Sequence, residues 1–162
     1  MMTTELPTRR SPITPGDTAP DFTLADQNRE AWSLSEHVKA GDVVLCFFPF
    51  AFTSVCGTEM ACISKDLATW RAKGATVVGI SGDSTAALKA WADAEGYETT
   101  MLSDSHRAVC KAYGLYWGDL NVSTRGTIVI GQSDDGVGSV KHAEAREPGN
   151  AMDWDDVLAR LS

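Results

Sequence analysis

Thr53 and Cys56 stand in FFPFAFTSVCGTEM, residues Phe47 to Met60, just past the apolar run DVVLCFF and soon after Pro49. If a strand ends near Phe48 and a helix begins near Cys56, the sulfur sits in a first helical turn at the C-terminal end of a central strand. Open α/β sheets build their sites there. The helix dipole and unpaired N–H groups of that turn favour a thiolate and lower the thiol pKa from ~8.5. Cys56 is therefore the candidate nucleophile, on the same helical side as Met60, Ile63 and Leu67, so that the thiol faces a pocket rather than bulk water. Thr53 brings a hydroxyl that both donates and accepts. Pro49 walls one side without an N–H to compete for hydrogen bonds. An attacking thiolate needs a neighbouring positive charge that does not deprotonate, and Arg offers one with five donors in a fixed fork. Arg125, entering the buried strand of VSTRGTIVI, is the natural supplier.

These residues need a sheet beneath them. DVVLCFF and TVVGI are continuous apolar runs, the mark of strands covered on both faces. Between them Met60, Ile63, Leu67 and Trp70 recur at helical spacing and the segment closes on Gly74, which makes a right-handed strand-helix-strand unit. DFTLADQNREAWSL reads as an N-terminal hairpin. DSTAALKAWADAEG reads as a helix capped by Asp83 or Ser84 and ended by Gly96. A short extended piece at Met101 and Leu102, a short helix bearing Val109 and Tyr113, a hairpin around SDDG and a terminal amphipathic helix over NAMDWDDVLARLS complete the order. Trp32, Trp70, Trp91 and Trp154 read as core or interface aromatics, and Trp117 as a residue near the site mouth. The expected class is α/β: a thioredoxin-like fold with a mixed central sheet flanked by helices and an N-terminal β-hairpin extension. Residues 1–15, proline-rich and without apolar periodicity, read as a flexible arm, and 16–162 as a single domain.

Composition narrows the function. The formal charge of −8 repels phosphate backbones, so no nucleic-acid partner is expected. No apolar run reaches the roughly 18 residues of a membrane span, and no apolar stretch follows Arg9 and Arg10 as a secretory signal would require, so the expected location is the cytoplasm. Four dispersed cysteines do not make a disulfide scaffold. His37, His106 and His142 have no paired ligand spacing, so no metal is expected.

The motif PFAFTSVC resembles the Pro-x-x-x-Thr-x-x-Cys signature of the peroxiredoxins. GDTAPDFTLADQN, VVGISGDS, LSDSHRAVCKAYGL and STRGTIVI extend the resemblance over nearly the whole chain, which is most like the alkyl hydroperoxide reductase E type, near the bacterioferritin comigratory type. The resemblance implies a thiol-dependent peroxidase, with Cys56 as peroxidatic cysteine, Thr53 holding the peroxide and Pro49 shielding the pocket. Arg125 would stabilise thiolate and transition state, oriented by Glu59. Neither metal nor organic cofactor is implied. The implied partners are a hydroperoxide substrate, a reducing thiol or redoxin-type protein, and a second copy of the chain in a homodimer formed across the loops bearing the site, where PFAF offers an apolar surface.

The resolving step stays open at this level. The bacterioferritin comigratory type commonly resolves with a cysteine five residues on, a position held here by Ala61, with Cys62 one place later. Six residues of intact helix rise about 9 Å, beyond the ~7 Å limit for a disulfide, so Cys56 and Cys62 join only if the first turns unwind. Cys110 reaches the site only through a larger rearrangement or from a partner subunit. Cys46, inside the apolar strand, reads as a core side chain. The leading reading is a one-cysteine cycle completed by an external thiol or redoxin; Cys62 or Cys110 as resolving cysteine is the alternative. A thioredoxin-type oxidoreductase or a redox sensor stands further back, because VCGTEM lacks the two-cysteine motif that the former needs.

Overall fold

The computed structural model of the chain describes residues 6, 8–53, 60, 63–64, 67–146 and 157. In chain order the elements are β1 (Thr23–Asp26), β2 (Ala31–Ser33), α1 (Leu34–Ala40), β3 (Val43–Phe47), α2 (Leu67–Ala72), β4 (Thr76–Ser81), α3 (Thr85–Glu95), β5 (Thr100–Ser103), α4 (Ala108–Ala112), β6 (Tyr116–Trp117), β7 (Val122–Ser123), β8 (Arg125–Gly131) and β9 (Ser139–Arg146). Seven strands form one sheet in the order β2-β1-β5-β4-β3-β8-β9. β3, β4 and β5 run parallel, while β1 joins β5, β8 joins β3 and β9 joins β8 antiparallel. The mixed sheet and flanking helices are those expected.

The apolar runs are continuous because both faces of the sheet are covered. Along β3, Val43, Leu45 and Phe47 enter one core with Leu34 and Val38 of α1 and Val109 and Ala112 of α4. Val44 and Cys46, with Phe48 just beyond the strand, enter the other core with Met60, Ile63, Trp70, Leu88 and Trp91. The period of two in a strand divides one sequence run between two cores. Cys46 is thus a fully buried core side chain. Trp32, Trp70 and Trp91 are buried as expected, whereas Trp154 lies outside the described residues.

Capping explains the ends of α3. The Ser84 hydroxyl accepts the Ala87 N–H at 3.1 Å, and Gly96 takes the left-handed conformation (φ 74°) that turns the chain out of the helix. The N-cap is Ser84, which leaves the Asp83 carboxylate for another purpose.

Three features differ from or extend the sequence reading. α1 begins directly at the end of β2, so Leu34, read as a strand residue, instead pairs with Val38 at helical spacing. The two-stranded sheet of β6 and β7 was not anticipated, since strands of two residues carry no periodicity. Residues 9–13 are not a free arm: the Arg9 N–H donates to Lys111 O at 2.9 Å, the Ile13 N–H donates to Tyr113 O at 3.0 Å, and Ile13 is buried in the first core. One isolated isoleucine anchors this segment without any repeat to signal it. The terminal helix expected over 150–162 falls outside the described residues except at Val157, which is helical and buried.

At the N-terminal end of β3, Asp42 ties three strands together. Its carboxylate accepts the Gln132 N–H and the Lys141 ammonium, each at 2.9 Å, and its carbonyl accepts the Thr76 N–H. The charge is nearly buried, and its hydrogen bonds and ion pair are what permit that burial.

Candidate active site

The opposite end of β3 carries Pro49 and Thr53, and brings Arg125 beside them. β3 and β8 run antiparallel with Phe47 registered on Gly126, so Arg125 lies at the level of Phe48, next to Pro49. Arg125 opens β8 and is only 2% exposed. Its place in the pleat, alternating with Gly126, puts it on the sheet face of Thr127 and Val129, the face of the second core. Met60, Ile63 and Trp70 cover that same face. The approach is close because Gly79 on β4 has no side chain: a Cβ there would come within 3.0 Å of Met60 Sδ and of Phe48. Met60 is thereby seated against β4 and Phe48, on the sheet face that Arg125 shares. Cys56, Glu59 and Cys62 themselves lie outside the described residues.

The turn from Pro49 to Thr53 is held from two sides. The Ala51 N–H donates to Asp83 Oδ2 at 2.9 Å, and the Thr53 hydroxyl donates to Phe50 O at 3.0 Å. With its proton so used, Thr53 Oγ1 presents lone pairs outward from an exposed position, able to accept from a bound hydroxyl. Pro49 is buried at the strand exit. Between the two bonds, Phe52 adopts φ 63°, a left-handed conformation costly for a bulky side chain, about 1–3 kcal/mol. Its ring lies 6.1 Å from that of Trp91, which also contacts Phe48 at 5.6 Å.

Asp83 is the residue that sequence reasoning missed. From the end of β4 it reaches across to the turn after β3, and its own placement is fixed. The Ser81 hydroxyl donates to Oδ2 at 2.7 Å and the Ser103 hydroxyl donates to the Asp83 carbonyl at 2.7 Å. The signal was present in GISGDS, where two residues competed for one cap and the structure leaves Asp83 to the neighbouring loop.

Trp117, expected near the site mouth, stands in β6. Arg107 holds that strand's hairpin from outside, Nε donating to Asn121 O at 2.9 Å, while the Tyr116 hydroxyl, donating to Asn121 Oδ1 at 2.7 Å, closes the hairpin on itself. Cys110 is in α4, buried in the core opposite the face of Arg125, with Sγ 3.3 Å from Arg107 O. Burial, reinforced by the Asp104 carboxylate beside it, pushes the Cys110 thiol up to about 12. Among the described residues no cluster of three or more His, Cys, Asp or Glu side chains suits a metal ion, and no helix is long and apolar enough to cross a membrane.

The described residues thus bring a buried guanidinium and an exposed hydroxyl on a pinned turn to one end of the sheet. Comparison with known proteins identifies the family. Residues 15–137 match the AhpC/TSA family. The chain is 36% identical over 152 residues to alkyl hydroperoxide reductase E of Mycobacterium tuberculosis, covering 91% of this chain and 97% of that protein. It is 32% identical over 109 residues to peroxiredoxin Bcp of Escherichia coli, covering 67% and 69%. Among solved structures, peroxidoxin BcpB from Mycobacterium tuberculosis superposes with a TM-score of 0.80 at 29% identity, over 91% of this chain and 96% of that one. A thioredoxin-like sheet, a match to the family over residues 15–137 and relatives matched over most of their length lead to one conclusion: the chain belongs to the AhpC/TSA family and is a peroxiredoxin, an enzyme that reduces hydroperoxides at the expense of thiols.

Proposed function

We propose that Cys56 is the peroxidatic cysteine of a one-cysteine cycle acting on hydrogen peroxide and organic hydroperoxides. The Cys56 thiolate attacks the terminal oxygen of the O–O bond. The S–O bond forms as the O–O bond breaks, and the leaving oxygen departs as alkoxide or hydroxide and takes a proton, leaving a sulfenic acid. Thr53 holds the peroxide, Arg125 stabilises thiolate and departing charge, Pro49 shields the pocket and Glu59 orients Arg125. An external thiol or redoxin then attacks the sulfenic sulfur, releasing water and forming a mixed disulfide, and a second thiol restores Cys56 and carries away the disulfide.

The observation that carries this reading is the burial of Arg125 level with Phe48, on the sheet face where Met60 is seated. A guanidinium so placed offers a permanent positive charge at low dielectric, where it stabilises an anion far more than water does.

The external reductant is favoured over Cys110 by that residue's surroundings. A thiol pushed up to about 12 is ionised in roughly one molecule in 10⁵ at pH 7, and only the thiolate attacks. Cys62 remains the alternative resolver.

The enzyme works in the cytoplasm, as one domain, and pairs with a second copy through the apolar turn, where Phe50 and Phe52 are 40% and 60% exposed. The test is the intact mass of the non-reduced protein after one equivalent of hydrogen peroxide, with and without a sulfenic-acid trap. A trapped adduct on Cys56, absent from Cys56→Ser, is the expected result. Loss of two hydrogens without trapping indicates an internal resolver, and a Cys56→Ser protein that oxidises like the wild type overturns the assignment.

A further inference from the structure

We infer that Asp83 is a positioning residue of peroxide reduction: its carboxylate pins the turn between Pro49 and Thr53 to the end of β4 and thereby sets the distance between the Thr53 hydroxyl and the reacting sulfur. This rests on the assignment of Thr53 and Cys56 made above.

The geometry comes from three strands. Asp83 Oδ2 receives the Ala51 N–H at 2.9 Å and the Ser81 hydroxyl at 2.7 Å, both on one charged oxygen, and such charge-assisted bonds are stronger than neutral ones. The backbone of Asp83 is itself clamped by the Ser103 hydroxyl at 2.7 Å. The acceptor is therefore oriented before the turn meets it. Asp83 has no duty to α3, because Ser84 caps that helix through the Ala87 N–H. Its carboxylate instead bridges the gap between the ends of β4 and β3, at the midpoint of the turn.

That turn needs an external hold. Phe52 is in a left-handed conformation that a free turn would abandon, and Ala51, the point at which Asp83 holds the turn, is its immediate neighbour. Releasing the Ala51 N–H lets Phe52 relax and moves Thr53, the next residue, whose hydroxyl bond to Phe50 O belongs to the same turn. Displacing a reacting group by about 1 Å lowers a rate by on the order of 100-fold, so a small relaxation is felt in the chemistry.

The experiment compares Asp83→Ala, Asp83→Asn and Cys56→Ser with the wild type. It reads the second-order rate constant for sulfenic acid formation by hydrogen peroxide, the rate of alkylation by iodoacetamide at matched thiolate fraction, and the melting temperature. Asp83→Ala is expected to slow the peroxide reaction by about 10-fold or more while alkylation, which needs no peroxide held by Thr53, changes by less than about 2-fold. Asp83→Asn keeps an oxygen able to accept both bonds and is expected to restore the rate to within about 3-fold. Wild-type peroxide kinetics in Asp83→Ala, beside an inert Cys56→Ser, overturn the inference and leave the site assignment standing. An equal fall in both rates with a lowered melting temperature also overturns it, since the role is then structural. Peroxide oxidation persisting in Cys56→Ser overturns the site assignment and the inference together.

Discussion

Arg125 and Phe48 stand level across the β8 and β3 edges, one step beyond the paired Gly126 and Phe47. This places a buried guanidinium where the chain leaves the sheet for Pro49, and the distinction between its charge and its shape is measurable. Arg125→Lys keeps the charge and loses the fork, and is expected to slow sulfenic acid formation about 10-fold. Arg125→Ala removes both and is expected to slow it at least ~100-fold. Stopped-flow kinetics against hydrogen peroxide give both values, and a wild-type rate in Arg125→Ala removes Arg125 from the chemistry.

Cys110 yields a pH prediction. Its folded pKa, about 12, lies above the ordinary thiol value, so between roughly pH 9 and 12 the folded state holds a proton that the unfolded state has lost. Stability contributed by the neutral thiol is complete below that window and falls as pH rises through it, by up to ~1.4 kcal/mol per pH unit. Urea unfolding of the wild type beside Cys110→Ala is expected to show a shallower alkaline loss in the variant. Equal slopes would mean that the thiol is not held neutral by the fold.

Asp104 supports α4 from below. Its two carboxylate oxygens accept the buried Val109 and Cys110 N–H groups at 3.1 and 2.9 Å. Asp104→Ala leaves both donors without that acceptor and is expected to destabilise the protein by about 2–4 kcal/mol, a fall of roughly 4–16 °C in melting temperature. Asp104→Asn retains one acceptor and is expected to lie between. A shift below 2 °C in the alanine variant would show that water replaces the carboxylate at little cost.

The exposed ring of Phe50 tests the pairing of two copies. Phe50→Asp puts a charge into the apolar turn while leaving the Ala51 and Thr53 bonds to backbone atoms and Asp83 untouched. Sedimentation velocity is expected to show the wild type as a dimer and the variant shifted to monomer at the same concentration. A dimeric variant places the interface elsewhere.

What the amino-acid order made legible is what periodicity and spacing encode. β3 and β4 were readable because doubly covered strands are uniformly apolar, and α3 because Ser84 and Gly96 bracket it. The pairing of Arg125 with the end of β3 could be anticipated only as a shared chemistry, since register is settled by the partner strand and not by either strand alone. Asp83 was hidden for the same reason: whether an acidic residue before a helix caps it or crosses to another loop depends on what the fold brings alongside. α1 was missed because seven residues emerging straight from a strand offer only Leu34 and Val38 as evidence of a helix.

Asp42 has a consequence for how the molecule breathes. Its bonds to Gln132, Lys141 and Thr76 fasten β3 to β8, β9 and β4 at one end of the sheet, while Pro49 and the strained Phe52 occupy the other. Amide protons near Asp42 should therefore exchange with solvent only on global unfolding, and those around Ala51 through smaller openings of lower free energy. The sheet then behaves as a hinge with one clasped end: the end that carries Pro49 and Phe52 can open and reclose repeatedly without the strand order being lost.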